Sequence, residues 1–337
     1  MILTATPLRV SLFGGGSDYP EWFLAHGGAV LGMAINKYVY VGIKDMPPGQ
    51  KGADGQPLKF RIQYSHVDDC QDAEQIQHPA VRAAIKYFGL QDRPLEFHIF
   101  GDLPGRSGLG GSSAFTVGLL HAIRRFLEPQ RDFDPLELAQ EAIPFEQFVI
   151  RETVGYQDQI FAAAGGIRFV EFNQQGNTAV HTLSISPERL AELEQSLILV
   201  YTGTMRDAHV MASRYVAKIP TNETLLKKTV RQAHYARSWM ENSKYVPINM
   251  FGWTLHQAWE WKRSICPDTT TPEIDALYSH GLDWGATGGK LLGAGGGGFI
   301  LFFVPPERRT TFETRIQAPC VSFRVSPAGS SVVINNL

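Results

Sequence analysis

A glycine- and serine-rich stretch, GRSGLGGSSAF at residues 105–115, has the composition of a loop that binds phosphate groups. Its Gly-x-x-x-x-Gly spacing matches a common nucleotide-binding loop, but Gly111 stands where that loop carries a lysine. Backbone N–H groups in such a turn, followed by a helix N-terminus, form a concave anion site. Ser112 and Ser113 offer hydroxyl groups to a metal ion, so the backbone and Mg²⁺ would supply the positive charge. The alternative is a loop of small residues that only lets a strand and a helix pack closely.

A second glycine cluster lies near the N-terminus, in RVSLFGGGSDY at residues 9–19. Three consecutive glycines allow a ligand to approach the backbone closely. Asp18 would then accept hydrogen bonds from hydroxyl groups of that ligand. The alternative is a tight turn in which Asp18 caps a helix that begins near Pro20.

A third glycine loop, GAGGGG at residues 293–298, formally matches the dinucleotide-binding pattern G-x-G-x-x-G, and Glu313 lies at the expected acidic position. That pattern must follow a strand and open a helix. Here the glycines precede an apolar run at 299–304, which predicts a strand. The order of elements therefore argues against a dinucleotide site.

Three acidic residues, Glu146, Glu152 and Asp158, lie within a largely helical segment at 145–166. Phosphoryl transfer to a hydroxyl group needs phosphate positioning, Mg²⁺ and usually a carboxylate near the attacking oxygen. Asp158 follows a break at Gly155 and lies between two glutamines, an unusual position for a merely solvated charge. For each acid alone, an exposed helical carboxylate remains the alternative.

The elements that must position these residues follow from the hydrophobic pattern. Strands are predicted at 30–43, 95–99, 165–172, 197–201 and 299–304, and helices after 115, across much of 135–164 and across much of 205–265. Because strands and helices occur in blocks, the fold class is α+β. A boundary between two parts is expected near 173–195.

The bulk composition restricts the function. With 337 residues, 44% hydrophobic and 19% charged, the chain is long enough for about two domains. A net charge of −2 argues against nucleic-acid or membrane-surface partners. The three cysteines are far apart in sequence, which argues against a disulfide scaffold or a zinc site. The N-terminus lacks a signal-peptide pattern, so we expect a cytoplasmic enzyme with small-molecule partners.

Taken together and in this order, the three glycine motifs closely resemble those of the GHMP kinase superfamily, named for galactokinase, homoserine kinase, mevalonate kinase and phosphomevalonate kinase. RVSLFGGGSDY resembles motif 1, LPGRSGLGGSSA motif 2 and KLLGAGGGGFILFFV motif 3. The resemblance covers nearly the full chain. It implies a two-domain α+β fold, with an N-terminal ATP-binding domain at 1–180 and a C-terminal ferredoxin-like domain at 181–337.

The resemblance also implies roles for single residues. Asp158 matches the catalytic aspartate, Arg9 the basic residue that steadies the transferred phosphoryl group, and Glu146 the metal-binding glutamate. Asp18 matches the aspartate that binds sugar hydroxyls. The residues implied in binding the phosphates of ATP are Gly105, Ser107, Gly108, Leu109, Gly110, Gly111, Ser112 and Ser113, with Ser112 also on Mg²⁺. Those implied on the substrate side are Gly15, Gly16, Ser17, Gly295, Gly296 and Gly297, with Arg206 and Lys290 as candidates for a substrate phosphate.

Within the superfamily, the stretches TPLR, INKYVYV and RSGLGGSSAFTVGLLHA look most like the heptose 7-phosphate kinases. This implies phosphorylation of an anomeric hydroxyl by ATP, on a route to nucleotide-activated heptose for capsule or lipopolysaccharide. Galactokinases carry a glutamate–histidine pair where Gly15 and Gly16 stand here, which argues against free galactose. A kinase of an unphosphorylated sugar such as fucose and a non-catalytic sugar sensor remain alternatives. The sequence allows a homo-oligomer without predicting one.

Overall fold

The computed structural model describes residues 1–52, 55–205, 208–242 and 247–336. Its larger sheet has eight strands: β1 Ile2–Phe13, β2 Gly28–Asp45, β3 Phe60–Gln63, β4 Val67–Cys70, β5 Leu95–Gly101, β6 Ile167–Phe172, β7 Thr178–Thr182 and β12 Ser331–Asn335. The smaller sheet has four: β8 Leu197–Tyr201, β9 Gly288–Leu291, β10 Phe299–Phe303 and β11 Cys320–Val321. The blocks of strands and helices confirm the α+β class.

The α-helices of the described residues are α1 Pro20–His26, α2 Pro79–Tyr87, α3 Gly111–Leu127, α4 Pro135–Pro144, α5 Gln157–Ala164, α6 Pro187–Ser196, α7 Ala208–Val216, α8 Glu223–Glu241, α9 Met250–Ile265, α10 Pro272–Asp283 and α11 Arg309–Arg315. A π-helical segment, Phe145–Ile150, continues α4. Short 3₁₀ turns are Ala73–Gln75, Ile219–Thr221, Pro267–Thr269 and Pro306–Arg308. Among them, no helix combines the length and apolar character needed to cross a bilayer.

The larger sheet has the order β12-β1-β2-β5-β3-β4, with β6 paired to β2 and β7 paired to β6. Strand β1, which lies between β12 and β2, is almost entirely buried because α3, α5 and α8 pack against it. The sheet thus fixes Arg9 and Ser11, which lie on β1, in the interior.

The smaller sheet is antiparallel in the order β11-β8-β10-β9. Numbered within this part of the chain, that order is 4-1-3-2, the order of a ferredoxin-like sheet, which confirms the expected architecture. Aromatic side chains from β10, α9 and α10, including Phe302, Trp259 and Tyr278, fill the core on one side.

The predicted boundary at 180/181 remains a prediction. A single boundary does not account for β12, because this C-terminal strand pairs antiparallel with β1 in the larger sheet. The larger sheet is therefore not formed by one uninterrupted stretch of chain, because the strands of the smaller sheet lie between β7 and β12 in sequence.

Candidate active site

A cavity of about 480 Å³ opens where the glycine loops meet the N-terminus of α5. Its wall includes backbone at 15–16, 106–108, 110–113 and 293–294, together with the segment 150–155. The strand–loop–helix context expected for residues 105–113 is observed, because they connect β5 to α3. The acidic and basic side chains on the wall are Arg9, Asp18, Arg106, Arg151, Glu152, Asp158, Lys262 and Lys290.

Arg9 joins the glycine loop to Asp158. Its Nε and Nη2 atoms donate to Oδ1 and Oδ2 of Asp158, each at 2.6 Å. The remaining Nη1 donates to the carbonyl of Gly108 at 2.7 Å. A bidentate arginine contact fixes both the position and the plane of a carboxylate. Asp158 is thereby oriented beside the loop, while its side chain stays 25% exposed to the cavity.

Asp18 lies almost fully buried in the wall of the same cavity. Its Oδ1 accepts from the N–H of Gly16 at 3.0 Å, and its Oδ2 accepts from the N–H of Gln157 at 3.3 Å. Burial, reinforced by the nearby charge of Asp158, raises the pKa of Asp18. The structure does not use Asp18 as a helix cap, since Tyr19 occupies the N-cap of α1.

The absence of a side chain at Gly155 allows the carboxylate of Asp18 to lie against the backbone of the segment 151–156. A Cβ at position 155 would lie only 2.0 Å from Oδ2 of Asp18. The break expected at this glycine is therefore a point of close contact between the segment 151–156 and Asp18.

Glu146 lies fully buried in the π-helical segment, behind the start of α3. Its Oε2 accepts from the hydroxyl of Ser113 at 2.9 Å and from the side-chain amide of Gln159. Burial raises the pKa of Glu146 to about 7, against the opposing hydrogen bonds of Thr116, Gln159 and Ser113. The expected partner, Ser112, instead points its hydroxyl towards Oε2 of Glu152 at 3.4 Å.

These residues fit a divalent cation held mainly by phosphate groups. Oε1 of Glu146 is buried without a hydrogen-bond partner, which is costly unless another ligand meets it. Mg²⁺ is commonly bound by one or two carboxylates together with substrate phosphates. In the described ranges, no three acidic, histidine or cysteine side chains cluster to form a complete metal site. Glu146, Ser112, Ser113 and Glu152 would therefore share the ion with a nucleotide.

Two lysines bring positive charge to the same cavity. The buried Lys290 donates to the carbonyl of Leu12 at 3.0 Å. The partly buried Lys262 donates to the carbonyls of Leu291 at 3.2 Å and Gly293 at 2.5 Å. Desolvation lowers the pKa of both lysines to about 7, assisted by the charge of Lys290 at Lys262 and by the charge of Arg9 at both.

Several expected residues do not face the cavity. Ser17 is buried, and its hydroxyl bonds to the backbone of Gly14 and Ala29. Leu109 is buried too, and Gly105 is exposed outside the cavity. The expected wall of Gly295, Gly296 and Gly297 is replaced by Gly293 and Ala294.

The glycines at 295–297 pack against backbone instead. The N–H of Gly296 donates to the carbonyl of Thr269 at 2.8 Å. A Cβ on Gly295 would lie 2.8 Å from atoms of Thr269, and one on Gly297 would lie 2.7 Å from the carbonyl oxygen of Thr204. Arg206, a candidate for a substrate phosphate, lies outside the described residues.

Other wall residues were not selected from the sequence. Lys262 reaches the cavity from α9, and His209 and Tyr215 reach it from α7. Ser11 donates from β1 to Oε1 of Gln157 at 2.6 Å. No spacing rule connects residues this far apart, although the strand alternation around Ser11 could have placed it on the same face as Arg9.

Comparison with known proteins agrees with this geometry. Residues 76–166 match the family model described as GHMP kinases N terminal domain. The chain has a GHMP kinase N-terminal domain. The matched segment includes the glycine loop, Glu146 and Asp158. The match therefore includes both partners of Arg9, Gly108 and Asp158, while Arg9 itself lies outside it.

The GHMP kinase fold extends over the whole chain. The solved structure of a D-glycero-D-manno-heptose 1-phosphate kinase from Bacteroides thetaiotaomicron superposes on this chain with a TM-score of 0.78. The two sequences are 23% identical, and the match covers 98% of each chain. The D-glycero-alpha-D-manno-heptose 7-phosphate kinase of Campylobacter jejuni is 28% identical over 298 residues, 87% of this chain and 86% of that protein.

A bifunctional fucokinase/GDP-fucose pyrophosphorylase of Arabidopsis thaliana is 26% identical over 86% of this chain, but the match spans only 28% of that longer protein. Together with the GHMP domain, these relatives confirm the expected enzyme class, a phosphotransferase that acts on an alcohol group.

Proposed function

We propose that this chain transfers the γ-phosphoryl group of ATP to the anomeric C1 hydroxyl of D-glycero-D-manno-heptose 7-phosphate, giving the 1,7-bisphosphate. The observation that carries the proposal is Arg9, which bonds to the glycine loop through Gly108 and to both oxygens of Asp158. It brings a candidate phosphate site and a candidate base to one point. The similarity to a heptose 7-phosphate kinase supports the choice of acceptor.

In this proposal Asp158 accepts the proton of the anomeric hydroxyl. The hydroxyl oxygen forms a bond to the γ-phosphorus while the bond from that phosphorus to the bridging oxygen breaks, and ADP leaves. Positioned general bases typically contribute about 10²–10⁴ in rate. Arg9 keeps the carboxylate aligned with the loop, and Asp18 accepts hydrogen bonds from other sugar hydroxyls.

The nucleotide phosphates would lie against the backbone of residues 107–113 at the N-terminus of α3, where helix N–H groups favour anions. Mg²⁺, when bound, would neutralise phosphate oxygens. Glu146 and Glu152, with the hydroxyls of Ser112 and Ser113, are the residues of this chain that would hold it.

The wider setting is also proposed. A cytoplasmic enzyme of this specificity would supply a heptose bisphosphate for nucleotide-activated heptose, used in capsule or lipopolysaccharide. A kinase of an unphosphorylated sugar is the second candidate, because a fucokinase-containing protein matches 86% of the chain.

An ADP-release assay with four acceptors separates the two candidates: heptose 7-phosphate, mannose 6-phosphate, fucose and galactose. We expect turnover with heptose 7-phosphate and phosphate incorporation at C1, located by ³¹P NMR. Activity confined to unphosphorylated sugars would refute the proposed acceptor. Asp158→Asn is the inactive control, since it removes the carboxylate that accepts the proton and replaces no residue of the glycine loop.

A further inference from the structure

The glycine loop lacks the lysine found in the common phosphate loop, and Gly111 occupies that position. In the part of the chain that the structure describes, Lys262 and Lys290 face the cavity without a carboxylate within ion-pair distance. Their ammonium groups bond only to backbone carbonyls there. Charged groups removed from water are normally paired, so this arrangement lacks an anion.

Lys262 is anchored next to the glycine loop. Its ammonium group bonds to the carbonyl of Gly293 at 2.5 Å. Gly293 in turn packs on Gly108, since a Cβ built at Gly293 would lie 2.5 Å from the Cα of Gly108. Gly108 also accepts the hydrogen bond of Arg9 at 2.7 Å. Arg9 therefore bonds to Gly108 directly, and Lys262 bonds to the glycine that packs on it.

Lys290 is anchored three residues beyond Arg9 on β1, through the carbonyl of Leu12 at 3.0 Å. The positive charges of Arg9, Lys262 and Lys290 are close enough to disfavour one another. Arg9 is already neutralised by Asp158. The uncompensated charge of the cluster is therefore that of the two lysines.

We propose that Lys262 and Lys290 bind the oxygens of the phosphoryl group during its transfer, in place of the lysine that the loop lacks. This inference rests on the proposed kinase function. The two ammonium groups would donate hydrogen bonds to phosphoryl oxygens while the bond to the leaving oxygen breaks, and neither lysine forms or loses a covalent bond. Lys290, expected from the sequence to hold a phosphate of the acceptor, is thus assigned to the transferred group.

The test uses Lys262→Met and Lys290→Met, with Lys227→Met as a matched control on the exposed face of α8, where Lys227 pairs with Glu223. Removing one preorganised donor from a developing charge typically lowers kcat by about 10²–10³. We expect a fall in kcat of that order in each cavity variant, with KM for the acceptor changed less than about threefold. The control should match wild type.

Equilibrium binding gives a readout that needs no acceptor. We expect the cavity variants to bind ADP as wild type does, which also shows that they are folded. Binding of ADP with aluminium fluoride, a mimic of the planar phosphoryl group, should weaken at least tenfold. If no sugar is phosphorylated by wild type, the proposed function fails while this binding test still decides the role of the lysines.

Two results would overturn the inference. In the first, the cavity variants have a raised KM for a phosphorylated acceptor and an unchanged kcat, and they turn over any unphosphorylated acceptor as wild type does. This result would assign the lysines to the acceptor's own phosphate. Unaltered binding of ADP with aluminium fluoride would show that they do not contact the transferred group.

Lys262→Arg, which keeps the charge, should recover part of the lost kcat.

Discussion

Replacing Lys290 by methionine should make the folded protein more stable at neutral pH, although it removes a residue that we propose to act in phosphoryl transfer. Burial and the charge of Arg9 lower the pKa of Lys290 to about 7 from its ordinary value of 10.5. The unfolded chain thus holds the proton up to about pH 10.5, whereas the ligand-free folded protein releases it near pH 7. Between these values the unfolded state binds more protons, so wild-type stability rises with pH.

The size of the effect follows from the shift. One pKa unit corresponds to about 1.4 kcal/mol, so the free energy of unfolding of wild type, relative to the variant, should rise by on the order of 4 kcal/mol from pH 6 to pH 10.5. Loss of the hydrogen bond to Leu12 adds a cost of about 1 kcal/mol that does not vary with pH. The stabilisation by Lys290→Met should be greatest at or below pH 7 and fade as the pH approaches 10.5.

The assay is urea unfolding of ligand-free wild type, Lys290→Met and the control Lys227→Met at half-unit steps from pH 6 to pH 10. The control should differ from wild type by a small, nearly constant amount, because its side chain is 48% exposed. A difference between wild type and Lys290→Met that stays constant over this range would refute the reasoning, since it would mean that Lys290 is not desolvated.

The remaining predictions concern Asp158, the two serines at the start of α3, and Gly155. Asp158→Asn should bind ATP with wild-type affinity but lose about 10²–10⁴ in kcat, and near-normal turnover would exclude it as the base. Ser113→Ala should raise the Mg²⁺ concentration needed for half-maximal activity more than Ser112→Ala does, because Ser113 is the one bonded to Glu146 at 2.9 Å; a titration of activity against Mg²⁺ decides the order. Gly155→Ala should raise KM for the sugar by displacing Asp18 while leaving KM for ATP unchanged, because its Cβ would lie 2.0 Å from Asp18 Oδ2.

The sequence allowed the fold class and the local context of the loop to be predicted, since both depend on patterns between near neighbours. The apolar repeat after residue 115 predicted α3, and the apolar run at 299–304 predicted the strand β10. The resemblance to motif 1 assigned Arg9 to the transferred phosphoryl group, but it did not predict the pairing of Arg9 with Asp158. Local spacing could not have supplied it, because 149 positions separate the two side chains.

Details that depend on the rotation of a helix about its own axis could not be predicted from the sequence. Ser112 and Ser113 are adjacent in the first turn of α3, so their hydroxyls point about 100° apart. Which of them meets Glu146 is decided by how the apolar face of α3 packs on β1 and β2. The motif selected Ser112, whereas packing turns Ser113 inward and leaves Ser112 towards Glu152.

The source of positive charge at the loop could not be predicted from local sequence patterns either. Arg9 comes from β1, Lys262 from α9 and Lys290 from β9, so three distant parts of the chain must fold before the charges converge. A lysine within the loop would be present in any conformation of that segment. A cluster built from both sheets can bind a phosphoryl group only when the two parts of the fold are in place around it. In the proposed mechanism, these three residues provide the positive charge that the loop lacks at Gly111, and phosphate binding depends on the packing of Gly293 on Gly108.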